Sequence, residues 1–339
     1  MFFYFIVLYS IHLPYQPQDY FSITGPDDFK RLALSAFRYQ YQTNNIYRKF
    51  CDYMLVNEGN VNSLEQIPFL PIELFKTHKI IAGNGVEEHI FRSSGTTGTT
   101  QSKHYILNAD VYKKTLLEGF TRVFGDPAGY SFLALLPGYI ERPDSSLIYM
   151  VNELMQKSTM EHNQFFIEPN VAFRSAVQYN QAHHIKTILF GVSFSLLRLA
   201  EKQPLNLKNI ILIETGGMKG QAEEITRQQL HAILKEKLGI SQVYSEYGMT
   251  ELLSQAYSLG NEEFELPPWM QIFIREPNDP KTWMAENKVG GINVIDLANI
   301  HSCCFISTQD LGKKTSPNTF EVLGRFDNAD IRGCNLLFL

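Results

Sequence analysis

"FRSSGTTGTTQSKHYI", Phe91–Ile106, is the stretch on which the reading of the fold turns. Serine, threonine and glycine at this density suit either a flexible tether or a loop that wraps an anion. The two differ in their surroundings. A tether joins separable halves without fixed spacing, whereas an anion loop leaves one structured element, enters another and has partners further along the chain. Gly95 and Gly98 can take backbone angles closed to other residues, so successive N–H groups can turn toward one point. Ser93, Ser94, Thr96, Thr97 and Thr99 add hydroxyls, and Lys103 adds a mobile positive charge. The pattern G-x-x-x-x-G-K-[ST] is absent, so this is not a Walker loop. Both flanks, "EEHIFR" and "HYILNADVY", alternate as strands do, which predicts a hairpin-like turn rather than a tether.

Downstream, "SFLALLPG", "HHIKTILFGV", "LKNIILIETGG" and "ISQVYSEYG" are short apolar runs ending in Gly or Pro. They read as buried strands of a mostly parallel sheet. Between them "SSLIYMVNELMQK", "SFSLLRLAEKQ" and "QAEEITRQQLHAILKEKLG" carry helical periodicity, the last ending on Gly239. Upstream, "GPDDFKRLALSAFRYQYQTNNIYRKFCDYML" predicts one or two amphipathic helices, and "IPFLPIELFKTHKII" an extended crossing segment. Strands alternating with helices make an α/β fold. After about residue 262 the helical pattern stops, and "GGINVIDL", "CCFISTQDLG" and "TFEVLGRFD" predict a β-rich tail. No repeat, low-complexity tract or linker interrupts the chain. The expectation is one composite domain over 1–339, with an α/β portion at 1–262 and a β-rich portion at 263–339.

Composition narrows the function. With 339 residues, 44% hydrophobic and 19% charged, the chain can bury a sizeable core. A net charge of -5 without a basic run argues against a nucleic-acid partner. Cys303 and Cys304 are adjacent, and Cys51 and Cys334 stand alone, so neither C-x-x-C spacing nor a disulfide framework is expected. A reducing cytoplasm fits. The start, "MFFYFIVLYSIHL", has no basic leader and no small-residue cleavage site, and is too short to span a bilayer. It reads as a buried first strand or a misassigned start, with an export signal or membrane anchor as the lesser alternative, and no stable membrane insertion is expected.

The loop has partners. "YSEYGMTE", Tyr244–Glu251, sets an aromatic ring, a glycine and a carboxylate just past a predicted strand, where ligands of open parallel sheets collect. Taken singly, Tyr247 would be a core tyrosine and Glu251 a solvated helix residue. Together with "ETGGMKG", "STQDLG" and "GRFDNADIRG", in order, they resemble the adenylate-forming superfamily: acyl-CoA synthetases, firefly luciferase-like ligases and peptide-synthetase adenylation domains. That superfamily's S/T-S-G-T-T-G loop is matched by Ser93–Gly98 and its aromatic–Gly–x–Thr–Glu motif by Tyr247–Glu251. Its Gly-Asp-Leu aspartate is matched by Asp310 and its G-R-x-D hinge by Gly324–Asp327, so the resemblance runs from about residue 64 to the end. Within the superfamily the chain looks most like the acyl-protein synthetases, which activate fatty acids in bacterial luminescence. "LPIELFKTHKI", "GGMKG" and "RGC" carry that narrower likeness.

The resemblance implies a fold: the large N-terminal domain of these enzymes, with parallel sheets flanked by helices and a β-rich subdomain, lacking the usual small C-terminal domain. It also implies a reaction, in which a carboxylate attacks the α-phosphate of ATP, pyrophosphate leaves and an acyl-AMP forms. Negative charge spreads over phosphate oxygens, so donors and cations are needed. By resemblance, Ser93 to Gly98 hold the β- and γ-phosphates, with Thr96 and Thr97 in catalytic places. Glu251 takes magnesium (Mg²⁺), joined by Thr97. Asp310 binds ribose hydroxyls, Gly216 and Gly217 lie beside adenine, and Tyr247, within the Gly248 and Thr250 motif, stacks on it. Arg325 reaches ribose or α-phosphate.

Two departures stand out. The family loop continues x-P-K, whereas "TTQSK" displaces Lys103 here, and the domain that brings a catalytic lysine is not expected. Lys219 in "GGMKG" is the alternative cation. Cys334 in "IRGCNLLFL" matches the near-terminal cysteine that accepts acyl groups in acyl-protein synthetases, with Arg332 close enough to favour a thiolate. The implied substrate is a fatty acid or other carboxylic acid, and the implied partner an acyl-donor or acyl-acceptor protein. Two rivals are an acid–CoA ligase of the phenylacetate type and a binding protein that has lost catalysis. "LFGVSFS" falls short of a serine-hydrolase elbow because Ser195 replaces the second glycine, and His183-His184 has no partner at zinc spacing.

Overall fold

The computed structural model describes residues 12–94, 100–138, 142–202, 205–216 and 225–326. The helices are α1 (Pro17–Phe21), α2 (Pro26–Thr43), α3 (Asn45–Tyr53), α4 (Leu74–Thr77), α5 (Ala109–Phe124), α6 (Ser146–Lys157), α7 (Val171–Ala182), α8 (Ser193–Lys202) and α9 (Arg227–Leu238). The first strands are β1 (Leu70–Pro71), β2 (His89–Arg92), β3 (Lys103–Ile106), β4 (Ser131–Leu135), β5 (Gln164–Phe166), β6 (Thr187–Val192), β7 (Ile210–Thr215) and β8 (Val243–Tyr247). Then come β9 (Ala256–Ser258), β10 (Glu263–Glu265), β11 (Met270–Arg275), β12 (Gly290–Asp296), β13 (Phe305–Ser316) and β14 (Thr319–Arg325).

One large sheet runs in the order β11-β12-β13-β14-β10-β9-β8-β7-β6-β4-β5, with β1 added in parallel to β13. The expected parallel character holds for β5, β4, β6, β7 and β8. From β9 through β14 and back to β11 the pairing is antiparallel, so the sheet is mixed. The β-rich portion begins at β9, ahead of residue 262, and joins the same sheet. Its start is hidden in the sequence because β9 and β10 have three residues each, too few for alternation to register.

The central parallel strands β4, β6 and β7 are mostly apolar because helices cover both faces, with polar residues at their ends. Phe132, Ala134, Ile188, Phe190 and Ile213 pack with Leu116 and Phe120 of α5. Leu133, Leu135, Leu189, Leu212 and Val243 pack with α7, α8 and α9 through Phe173, Val177, Leu196, Leu199, Leu230 and Leu234. The N-terminal run forms two helices rather than one: Asn44 accepts hydrogen bonds from the Ile46 and Tyr47 N–H groups and caps α3. Thr226 and Gln229 form a capping box for α9, which ends on Gly239 at φ 64°, as its glycine predicts. "HYILNADVY" departs from expectation. Its strand stops at Ile106, and Asn108 accepts from the Asp110 and Val111 N–H groups to start α5. Among the described residues no helix is long and apolar enough to cross a membrane.

Candidate active site

The Ser/Thr/Gly stretch joins β2 to β3, an antiparallel pair whose register sets Arg92 opposite Lys103. Its neck is closed by two bonds. Ser93 N–H donates to the Ser102 carbonyl at 3.1 Å, and Ser102 N–H donates to Ser93 Oγ at 3.0 Å. Arg142 fixes the neck from outside, its Nη2 donating to the Arg92 carbonyl at 2.7 Å and the Ser93 carbonyl at 3.0 Å. Ser94 is exposed and Lys103 half-buried. Gly95, Thr96, Thr97 and Gly98 lie outside the described residues, as do Gly217, Lys219 and Cys334.

Glu251 lies in the turn after β8, buried, and its carboxyl meets the side chain of Ser102 at the loop neck. Burial pushes this carboxyl up, while Ser102 and the more distant Arg325 pull it down. A buried carboxylate with a hydroxyl beside it is an oxygen donor suited to a hard cation such as Mg²⁺. The turn is held from behind. His104, next to Lys103 on β3, lies with Nδ1 2.8 Å from the Thr250 carbonyl and Nε2 3.0 Å from Asn299 Oδ1. Asn299 Nδ2 donates to the Glu251 carbonyl at 2.7 Å. Burial pushes the His104 imidazole down to about 4, against the pull of the two acceptor oxygens at its ring nitrogens. Asp296 accepts from Leu253 N–H at 2.8 Å, Ser254 N–H at 3.0 Å and Ser254 Oγ at 2.6 Å.

A second group stands at the end of β8. Tyr247 Oη donates to Asp310 Oδ2 at 3.0 Å, and Arg325 Nε donates to Asp310 Oδ1 at 3.0 Å. Antiparallel register between β13 and β14 puts Asp310 and Arg325 side by side. The Tyr247 ring is 7% exposed and packs against Phe264 and Phe320. A Cβ at Gly248 would come within 2.3 Å of Glu246 Oε1, so a larger residue there would displace the Glu246 carboxyl. Gly216 follows β7, with open space where a Cβ would stand. Glu251 follows Tyr247 by four residues in the turn after β8, so the two groups are neighbours.

The structure thus gathers Ser93, Tyr247, Thr250, Glu251, Asp310 and Arg325 around the C-terminal end of β8. Motif reading missed Ser102, His104, Arg142, Asp296 and Asn299, which hold them. Among the described residues no cluster of His, Cys, Asp and Glu could by itself enclose a metal. His183 instead bonds and stacks on Tyr179.

Comparison with known proteins bears on this geometry. The family "Acyl-protein synthetase, LuxE" matches residues 23–128, which include the loop. The long-chain-fatty-acid–luciferin-component ligase of Vibrio harveyi is 25% identical over 336 residues, covering 90% of this chain and 86% of that protein. This chain is a relative of the acyl-protein synthetases. The ligase of the same name from Aliivibrio fischeri is 22% identical over 334 residues, with the same coverage. The fold is that of solved adenylate-forming ligases. A 2-hydroxyisobutyryl-CoA ligase with 2-HIB-AMP and CoA superposes with a TM-score of 0.66 at 13% identity, over 89% of this chain and 70% of that one. ATP-bound MatB from Rhodopseudomonas palustris gives 0.52 at 18% identity over 71% of this chain, which spans only about half (49%) of the MatB chain.

Proposed function

We propose that this acyl-protein synthetase relative is an ATP-dependent acyl-adenylating ligase that activates a carboxylic acid, a long-chain fatty acid first among them. The observation that carries the reading is the 2.8 Å approach of His104, on the strand that leaves the loop, to the Thr250 carbonyl, which ties the Ser/Thr/Gly loop to the Tyr247–Glu251 motif. A loop that offers N–H and hydroxyl donors, fixed beside a buried carboxylate, suits a polyphosphate with its cation. Ser94 and the loop residues Gly95 to Gly98 donate to the β- and γ-phosphates. Glu251, with Thr97, would hold Mg²⁺, which offsets phosphate charge when bound. Asp310 accepts from ribose hydroxyls, and Gly216 and Gly217 leave room for adenine.

Tyr247 holds Asp310 in place through its hydroxyl, and stacking on adenine requires its ring to slide from Phe264 and Phe320. Arg325, half-exposed on the outer side of Asp310, swings to ribose or α-phosphate. Lys103 or Lys219 supplies a further cation. The acyl group then passes to a protein thiol, Cys334 of this chain or one on a partner. The name of the matching family, acyl-protein synthetase, supports a protein acceptor. The likeness to a CoA ligase supports coenzyme A as the rival acceptor.

Carboxylate-dependent ATP–pyrophosphate exchange with a panel of acids tests the activity. Exchange with at least one acid is expected, and ATP binding without any exchange would leave a nucleotide-binding protein instead. Label from radioactive acid retained on protein points to a thiol, whereas soluble acyl-CoA points to the rival.

A further inference from the structure

Three adjacent strands carry a row of polar residues, two of which stand one position before the nucleotide motifs. Thr215 of β7 pairs with Glu246 of β8, and Glu246 with Tyr257 of β9, so all three side chains leave the same face of the sheet. That face is covered by α5, whose Phe124 packs edge-on against both Tyr244 and Tyr257. The residues that follow Thr215 and Glu246 are Gly216 and Tyr247. The row therefore lies against the nucleotide site, on the α5 side.

Two members of the row are unsatisfied. Thr215 Oγ1 and Tyr257 Oη, each in a residue 2% exposed, have no hydrogen-bond partner. A buried hydroxyl without a partner costs about 1–3 kcal/mol, so two beside one carboxyl call for a ligand. Burial first, and Glu214 second, push the Glu246 carboxyl up to about 8. At neutral pH it keeps its proton and both donates and accepts. A neutral hydrogen-bonding group suits such a row better than a cation, which would need the carboxylate form. Further along, Val192 of β6 pairs with Thr215, and the floor turns apolar. The polar end adjoins the nucleotide motifs, and the apolar end runs away from them.

We infer that Thr215, Glu246 and Tyr257 form a polar subsite for the acyl substrate, and that the preferred acid carries a hydroxyl near its carboxylate, followed by an apolar remainder. This rests on the acyl-activating reading and sharpens its substrate. A site built to bond a hydroxyl discriminates against the analogue that lacks it, because its own groups are then left unpaired.

The test is ATP–pyrophosphate exchange with tetradecanoic acid, its 2- and 3-hydroxy derivatives and 3-aminotetradecanoic acid. A hydroxy acid should exceed tetradecanoic acid in kcat/KM by about tenfold or more. Tyr257→Phe and Thr215→Val should each shrink that ratio by roughly five- to tenfold. Their urea unfolding midpoints should stay level or rise, since neither hydroxyl bonds anything in the free protein. A ratio near one in the wild type, a preference for the amino acid, or an undiminished ratio in both variants overturns the subsite alone. Absence of exchange with every acid overturns the acyl-activating reading and the subsite with it.

Discussion

Replacing Glu246 by Gln should change how stability depends on pH, and the sign follows from the burial of its carboxyl. In the folded chain this group releases its proton at about 8, against an ordinary value of 4.5. Between those values the folded state holds a proton that the unfolded state has lost, so stability falls as pH rises, by about 1.4 kcal/mol per unit. His104 and His231 act in the opposite sense. Burial pushes both down to about 4 from 6.5, so they add stability as pH rises through that window and nothing above it. From pH 6.5 to 8 the Glu246 contribution therefore stands apart from the histidines. Glutamine has the same shape and no proton to lose. The difference in unfolding free energy, Glu246→Gln minus wild type, should rise by roughly 1.5–2 kcal/mol across that interval. Urea titrations at half-unit steps and constant ionic strength, followed by tryptophan fluorescence, measure it. A flat difference curve would mean that Glu246 ionises as an exposed carboxylate does, and the argument from its burial would fall.

Glu251→Gln keeps the shape but not the charge of the buried carboxyl, so pyrophosphate exchange should drop on the order of a hundredfold, and near-normal exchange by a folded variant would remove it from the site. Asp310→Ala should weaken ATP binding by roughly 2–4 kcal/mol in calorimetric titration, with unchanged affinity counting against its role at ribose. Cys334→Ser should retain exchange yet lose hydroxylamine-sensitive labelling by radioactive fatty acid, because a serine hydroxyl is a far weaker nucleophile without an adjacent base. The buried Cys51 and Cys303 are the controls: burial pushes the Cys51 thiol up to about 12 and the Cys303 thiol higher, so replacing them should leave labelling intact, whereas labelling of the Cys334 variant would refute the acyl-enzyme.

Much of this arrangement was legible because burial on two faces leaves a plain trace. β4, β6 and β7 are built on short apolar runs followed by Gly, Pro or a helix start, and α6 and α9 carry their periodicity openly. The loop showed itself through paired glycines between alternating flanks, and Tyr247–Glu251 through its position past a strand. What escaped was the scaffolding. His104 meets Asn299 across 195 residues of chain, and Gln40 Nε2 donates to the Asn299 carbonyl across 259. A lone histidine or asparagine in a short segment carries no signal of such a partner. Two-residue β1 was equally silent, since its only definition is its pairing with β13. Local pattern reports which face a residue shows, but not which distant polar group will meet it there.

The continuity of the sheet decides how the chain can be cut. β9 is paired on one side to β8 and on the other to β10, which in turn pairs with β14. A fragment ending at residue 262 would strip the outer row of N–H and C=O groups of β9, leaving Ala256, Tyr257 and Ser258, all buried in the intact chain, as a bare rim. Phe264 and Phe320 would leave with the remainder, taking away the rings against which Tyr247 packs. Such a rim recruits strands from other molecules, so the α/β half expressed alone should collect in inclusion bodies.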